Sequence, residues 1–135
     1  MKNSKAVINT YPTIYLVDLA VANKHVTIKQ LRELYSEPNG EELEDVTNIG
    51  ECVTMMVRNK KTNNLVSLVK YCCDHNVKGT DKNTYLVKLC SHEASHVVLD
   101  IYNQIHSEVN LMDQEPFAYF LGWVTERIYE TLRKQ

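Results

Sequence analysis

Two histidines four residues apart, His92 and His96, with Glu93 beside the first, are the side chains of this chain best suited to chemistry. On an α-helix that spacing puts both imidazoles on one side, about one turn apart, with the glutamate next to His92. Two imidazole nitrogens can hold a zinc ion, and the carboxylate between them then lies near the water that the metal activates. A catalytic zinc takes three protein ligands and keeps a fourth position open. Glu115, at the start of the next expected helix, is the best candidate for the third. His106 ranks well below it, because it falls on the same helix as the pair and too far along the axis. Zinc lowers the pKa of water from ~15.7 towards ~7. Glu93 would accept the proton as water attacks a carbonyl, and would later deliver it to a leaving amine. Asp100, one turn beyond His96, is placed to orient a ligand imidazole. Tyr119 or Tyr85 is placed to donate a hydrogen bond to a developing oxyanion.

The element that must carry this motif is a long helix from about Asn83 to Ser107. At 100° per residue, Leu86, Cys90, Ala94, Val97, Val98, Ile101 and Ile105 form one side of it. Tyr85, Leu89, His92, Glu93, His96 and Asp100 form another, a mixture that suggests a site with partly apolar walls. A last helix is expected from Asp113 as N-cap, with Pro116 in its first turn and Phe117, Phe120, Leu121, Val124 and Ile128 on one side. Gly122 on that helix would admit a close neighbour. Before the central helix, Cys52–Arg58 and Leu65–Tyr71 read as an antiparallel hairpin across a short polar loop. Residues 11–21 read as one strand rich in branched and aromatic side chains. Thr27, with Gln30 three residues on, caps a short helix over Ile28–Tyr35. Ser36 to Gly40 ends it as a turn, Glu41 to Asp45 is a solvated acidic loop, and residues 74–82 connect the hairpin to the central helix.

The chain is 135 residues long, 44% hydrophobic and 24% charged, which suits one soluble globular domain over residues 1–135. A net charge of −2 gives no electrostatic reason to expect nucleic acid, and the basic run Arg58-Asn59-Lys60-Lys61 reads as a solvated hairpin tip. No apolar run approaches the ~20 residues that span a bilayer. Nothing apolar of signal-peptide length follows Met1-Lys2-Asn3-Ser4-Lys5, so a cytoplasm, or a particle assembled there, is the expected location. The four cysteines lack the spacing of a disulfide framework, and reduced thiols are expected. Cys72-Cys73-Asp74-His75 has metal-binding residue types but no second pair, so core and loop positions are the better reading. Met55-Met56 reads as strand core plus surface. No Gly-rich phosphate loop or nucleophile elbow is present.

The run His92-Glu93-Ala94-Ser95-His96, followed by Gln114-Glu115-Pro116-Phe117-Ala118-Tyr119-Phe120-Leu121-Gly122-Trp123, resembles small HExxH proteins encoded by tailed bacteriophages and prophages. Tyr11-Pro12 and Arg58-Asn59-Lys60-Lys61-Thr62 are similar to that group as well. More broadly, HExxH with a distant glutamate is similar to the gluzincin metallopeptidases. That resemblance implies His92, His96 and Glu115 as zinc ligands and Glu93 as general base. Tyr119 stands where thermolysin-like enzymes carry an aspartate that braces a histidine, which leaves Asp100 for that task. The resemblance also implies an edge strand above the metal-binding helix that pairs with an extended substrate.

The expected architecture is therefore α+β: a minimal zincin-like domain, a small antiparallel sheet with the HExxH helix packed on a C-terminal helix. The expected function is zinc-dependent hydrolysis of a peptide bond in a peptide or protein substrate. The alternative is a non-catalytic phage structural or interaction protein that retains the zinc-binding scaffold. Other phage proteins are the expected partners, in the cytoplasm of a bacterial host or in a phage particle, with no nucleic acid and no membrane partner.

Overall fold

The computed structural model describes residues 5–73 and 81–134. Most of the connection expected at 74–82, including Asp74 and His75, lies outside the described residues. The order of elements is β1 (Ile8–Tyr11), β2 (Asp18–Ala22), α1 (Ile28–Leu34), β3 (Tyr35–Ser36), β4 (Cys52–Asn59), β5 (Leu65–Tyr71), α2 (Lys82–Gln104) and α3 (Glu115–Leu132). The five strands form one sheet in the order β1-β2-β5-β4-β3. The fold is α+β, as expected, but the sheet is mixed: β2 runs parallel to β5, with Ala20 beside Leu68. The other pairs are antiparallel.

The β4–β5 hairpin sets Thr54 opposite Val69 and Met56 opposite Ser67. Central strands β2 and β5 are buried on both faces, which explains why they read as continuous apolar runs. On one face Leu19, Val21, Val69 and Tyr71 pack against α2 and α3. On the other, Ala20, Ala22, Val66 and Leu68 meet Leu31 of α1 and Leu43. The acidic segment is thus pinned: Leu43 is 1% exposed, and the Arg32 guanidinium donates to its carbonyl at 2.8 Å. Helix α1 carries the expected capping box, Thr27 accepting from the Gln30 amide while Gln30 accepts from the Thr27 amide.

Five local expectations are corrected. Residues 11–21 hold the end of β1, a turn and most of β2, not one strand. Thr13 closes that turn, its hydroxyl donating to the Val17 carbonyl at 2.6 Å and accepting from the Tyr15 amide at 3.1 Å. Tyr35 and Ser36 leave the helix to form β3, pairing with Asn59 and Arg58. Helix α2 ends at Gln104, and His106 turns away at φ 57°, so it is not on the helix at all. The N-cap of α3 is Gln114, not Asp113, whose amide instead donates to the Asn110 carbonyl within the preceding turn. Pro116 does sit in the first turn. Among the described residues, and leaving aside its own helix backbone, no atom lies within 4 Å of a Cβ built on Gly122, so no described helix presses on it.

Candidate functional site

Helix α2 is held by its apolar side: Leu86, Cys90, Ala94, Val97, Val98 and Ile101 are all nearly inaccessible. Asp81 caps its start, accepting from the Thr84 amide at 2.9 Å. That burial fixes the rotation of the helix, and with it the direction of the motif. His92 and His96 emerge on an exposed flank, whereas Glu93, one residue round, turns towards the sheet and is 5% exposed.

The two Nε2 atoms are 3.3 Å apart and the rings stand at 74° to one another. Two nitrogens each ~2.05 Å from a tetrahedral zinc are separated by about 3.3 Å. The pair therefore has the bite of a bidentate zinc ligand. Without metal, the same gap suits one neutral ring donating Nε2–H to the lone pair of the other. Glu93 is oriented from the sheet, where the Thr54 hydroxyl donates to its Oε2 at 2.5 Å. Thr54 lies in the middle of β4, so a hairpin strand borders the motif. The Cys52 and Cys90 thiols lie near the Glu93 carboxylate. Burial first, and that carboxylate second, raise both thiols well above the ordinary thiol range, Cys90 to about 12. The carboxylate thus has a dry back wall and a solvent-facing pair of imidazoles beside it.

The outer edge of β4 is paired only at its end, where β3 meets Arg58 and Asn59. Among the described residues, no strand covers that edge from Cys52 to Val57. An extended peptide can add to such an edge through main-chain hydrogen bonds.

The other expected site residues are placed as follows. Asp100 is half-buried one turn below His96; burial raises its pKa above the ordinary carboxylate value, an effect the nearby His96 ring only partly offsets. Glu115 is exposed as the first residue of α3. Helix α2 continues to Gln104, about 12 Å of rise beyond His96, before the chain turns. Helix α3 then returns antiparallel, its start beside Tyr102 and its later turns beside Val87 and Cys90. Glu115 is therefore level with the end of α2, not with the histidines. Among the described residues no group of three His, Cys, Asp or Glu side chains is gathered as a metal cage. The two imidazoles fit zinc, and Glu115 in this arrangement does not complete the set. Tyr119 is 75% exposed on α3 and stands with Trp123 rather than with His92. Tyr85 is on the histidine side of α2 but about 10 Å of rise before His92, and its hydroxyl is buried with no hydrogen-bond partner among the described residues.

The residue that sequence reasoning missed is Thr54. Its signal was the alternation of β4, which puts Cys52, Thr54 and Met56 on one face; only the packing of α2 reveals that this face meets Glu93. No protein-family model, curated protein or solved structure matches this chain. No helix among the described residues is long and apolar enough to cross a membrane.

Proposed function

We propose that this chain is a zinc-dependent, metallopeptidase-type domain in which His92 and His96 hold the metal and Glu93 is the general base. The observation that carries the reading is the 3.3 Å Nε2 separation beside a buried glutamate fixed by Thr54. A zinc ion held by His92 and His96 would supply a Lewis acid able to polarise a carbonyl and acidify water. Glu93 holds its carboxylate still through the Thr54 hydroxyl, keeps one oxygen for a water proton, and returns that proton to the leaving amine. The edge of β4 that no strand covers among the described residues supports an extended peptide as substrate. The resemblance to small phage HExxH proteins supports a phage-encoded protein acting in a bacterial host or in a particle.

The test is metal analysis of the purified chain beside cleavage of a quenched-fluorescence peptide library. Glu93→Gln should keep zinc and lose cleavage by about a hundredfold or more. His92→Ala and His96→Ala should lose the metal. If Glu93→Gln and wild type are alike in every cleavage assay, the catalytic reading fails.

A second reading is a non-catalytic phage structural or interaction protein that keeps the zinc-binding pair. The placement of Glu115 favours it, because two imidazoles can hold a metal without the third protein ligand of a catalytic centre. Zinc retained with no cleavage by wild type would select it.

A further inference from the structure

A second region, away from the histidines, shows features of a docking surface. The turn between β1 and β2 displays Ile14 at 87% and Leu16 at 91% exposure. Leu16 is held there at φ 61°, a conformation that bulky L-residues adopt rarely and at a cost. Folding alone gives no reason to present two aliphatic side chains to water on a strained turn. Behind them runs a trough of about 470 Å³ walled by Pro12, Tyr15, Pro116, Tyr119, Phe120 and Trp123. Proline and aromatic walls of this kind suit an extended, proline- or leucine-bearing segment, which lies across the rings without needing to fold.

Tyr15 and Pro116 also wall a neighbouring cavity of about 250 Å³. The rings of Tyr15, Tyr102 and Phe117 line it together with the carboxylate residues Glu108 and Asp113. Tyr102 meets Tyr15 and Phe117 edge-on at 6.0 Å, so aromatic and acidic residues surround one space. A guanidinium or ammonium suits such a space, its charge pairing with the carboxylates and its apolar stem lying against the rings. The wider charge pattern points the same way. No Lys or Arg occurs between Lys88 and Arg127 or between Lys5 and Lys24, and Glu108, Asp113 and Glu115 fall together in the first interval. The Arg127 guanidinium, which lies over the Trp123 ring at 5.8 Å, is itself paired with Glu126 and Glu130. Neither Glu108 nor Asp113 has an ion-pair partner among the described residues.

We propose that this end of the molecule docks a partner protein through an extended segment carrying an arginine or lysine flanked by prolyl or aliphatic residues, the cation entering the Glu108–Asp113 cavity and the apolar flanks lying along the Tyr119–Trp123 trough. The acidic groups argue against the other occupants of an apolar surface. A two-fold contact between copies of this chain would bring like carboxylates together, and an anionic membrane would repel them.

Fluorescence anisotropy of the full chain with a labelled Pro-Leu-Arg-Pro-Leu peptide, and with a twin carrying Glu in place of Arg, tests this. The arginine peptide should bind at least about tenfold tighter than the twin, and less tightly as salt is raised. Glu108→Gln with Asp113→Asn should erase that preference with an unchanged circular-dichroism spectrum. Tyr119→Ala, at an exposed position, should weaken binding of the arginine peptide. Equal binding of the two peptides, no binding of either, a concentration-dependent dimer abolished by Leu16→Asp, or flotation with phosphatidylcholine vesicles would each overturn it.

Discussion

Glu93 and Glu115 were marked as partners by the same pattern, yet they occupy opposite surroundings. Glu93 is 5% exposed, backed by the thiols of Cys52 and Cys90 and bonded to a strand hydroxyl. Glu115 stands in solvent at the first turn of α3, beside a turn rich in acidic groups and exposed apolar side chains. The difference separates two ways of assembling a site. His92, Glu93 and His96 share one helix, so 3.6 residues per turn fix their mutual geometry. Glu115 reaches them only if the length of α2 and the turn after it bring it level, and α2 runs two turns too far.

The largest effect expected from this contrast is on metal affinity. His96→Ala should weaken zinc binding by about a hundredfold or more, roughly 2.7 kcal/mol. Glu115→Ala should leave it within about threefold. Competition against a chromogenic chelator measures both. Equal losses in the two variants would mean that α3 carries Glu115 to the metal, contrary to the arrangement described here.

The same distinction explains which features the sequence made legible. The capping box of Thr27 and Gln30, the β4–β5 hairpin and the apolar side of α2 are local patterns, and the structure contains all three. The turn at 12–17 was hidden because it contains no glycine or asparagine. Leu16 takes the left-handed conformation, and Tyr15 is anchored by ring contacts to Tyr102 and Phe120, about a hundred residues away. The parallel pairing of β2 with β5 is likewise set by long-range burial, since nothing in either strand specifies direction. Asp113 has the side chain of an N-cap, but the preceding turn uses its backbone and shifts the helix start by one residue. For the site, spacing located the two imidazoles and the glutamate beside them, while the identity of the residue facing Glu93 depended on which strand face packs against α2.

A pH experiment probes how dry the Glu93 wall is. Cys52 is raised from an ordinary value of 9.0, by burial and then by the Glu93 carboxylate. Its neutral thiol is the form the fold prefers, so its contribution to stability is complete below about pH 9. It is lost as the pH rises, because the unfolded chain releases the proton first. Between about pH 8 and about pH 11, wild type should lose about 2 kcal/mol more than Cys52→Ala. Urea unfolding under reducing conditions measures the difference. Parallel curves would show that solvent reaches this thiol freely and that the wall behind Glu93 is wet.

The smallest of these effects bears most directly on Glu93. Thr54→Val keeps the shape and β propensity of the side chain and removes only the hydroxyl that donates to Oε2. A buried carboxylate deprived of that bond costs about 1.5 kcal/mol, a fall in Tm of roughly 5 °C. Asp113→Asn, made at the exposed end, should change Tm by less than about 1 °C, since no partner among the described residues depends on its charge. Thr54→Ser restores a hydroxyl and should recover most of the loss. Zinc affinity should be nearly the same in the Val and Ser variants, because Thr54 touches Glu93 and not the imidazoles. Cleavage should fall with Val and return with Ser. A Thr54→Val chain as stable and as active as wild type would mean that Glu93 is held by α2 alone, and that β4 serves the site only through its open edge.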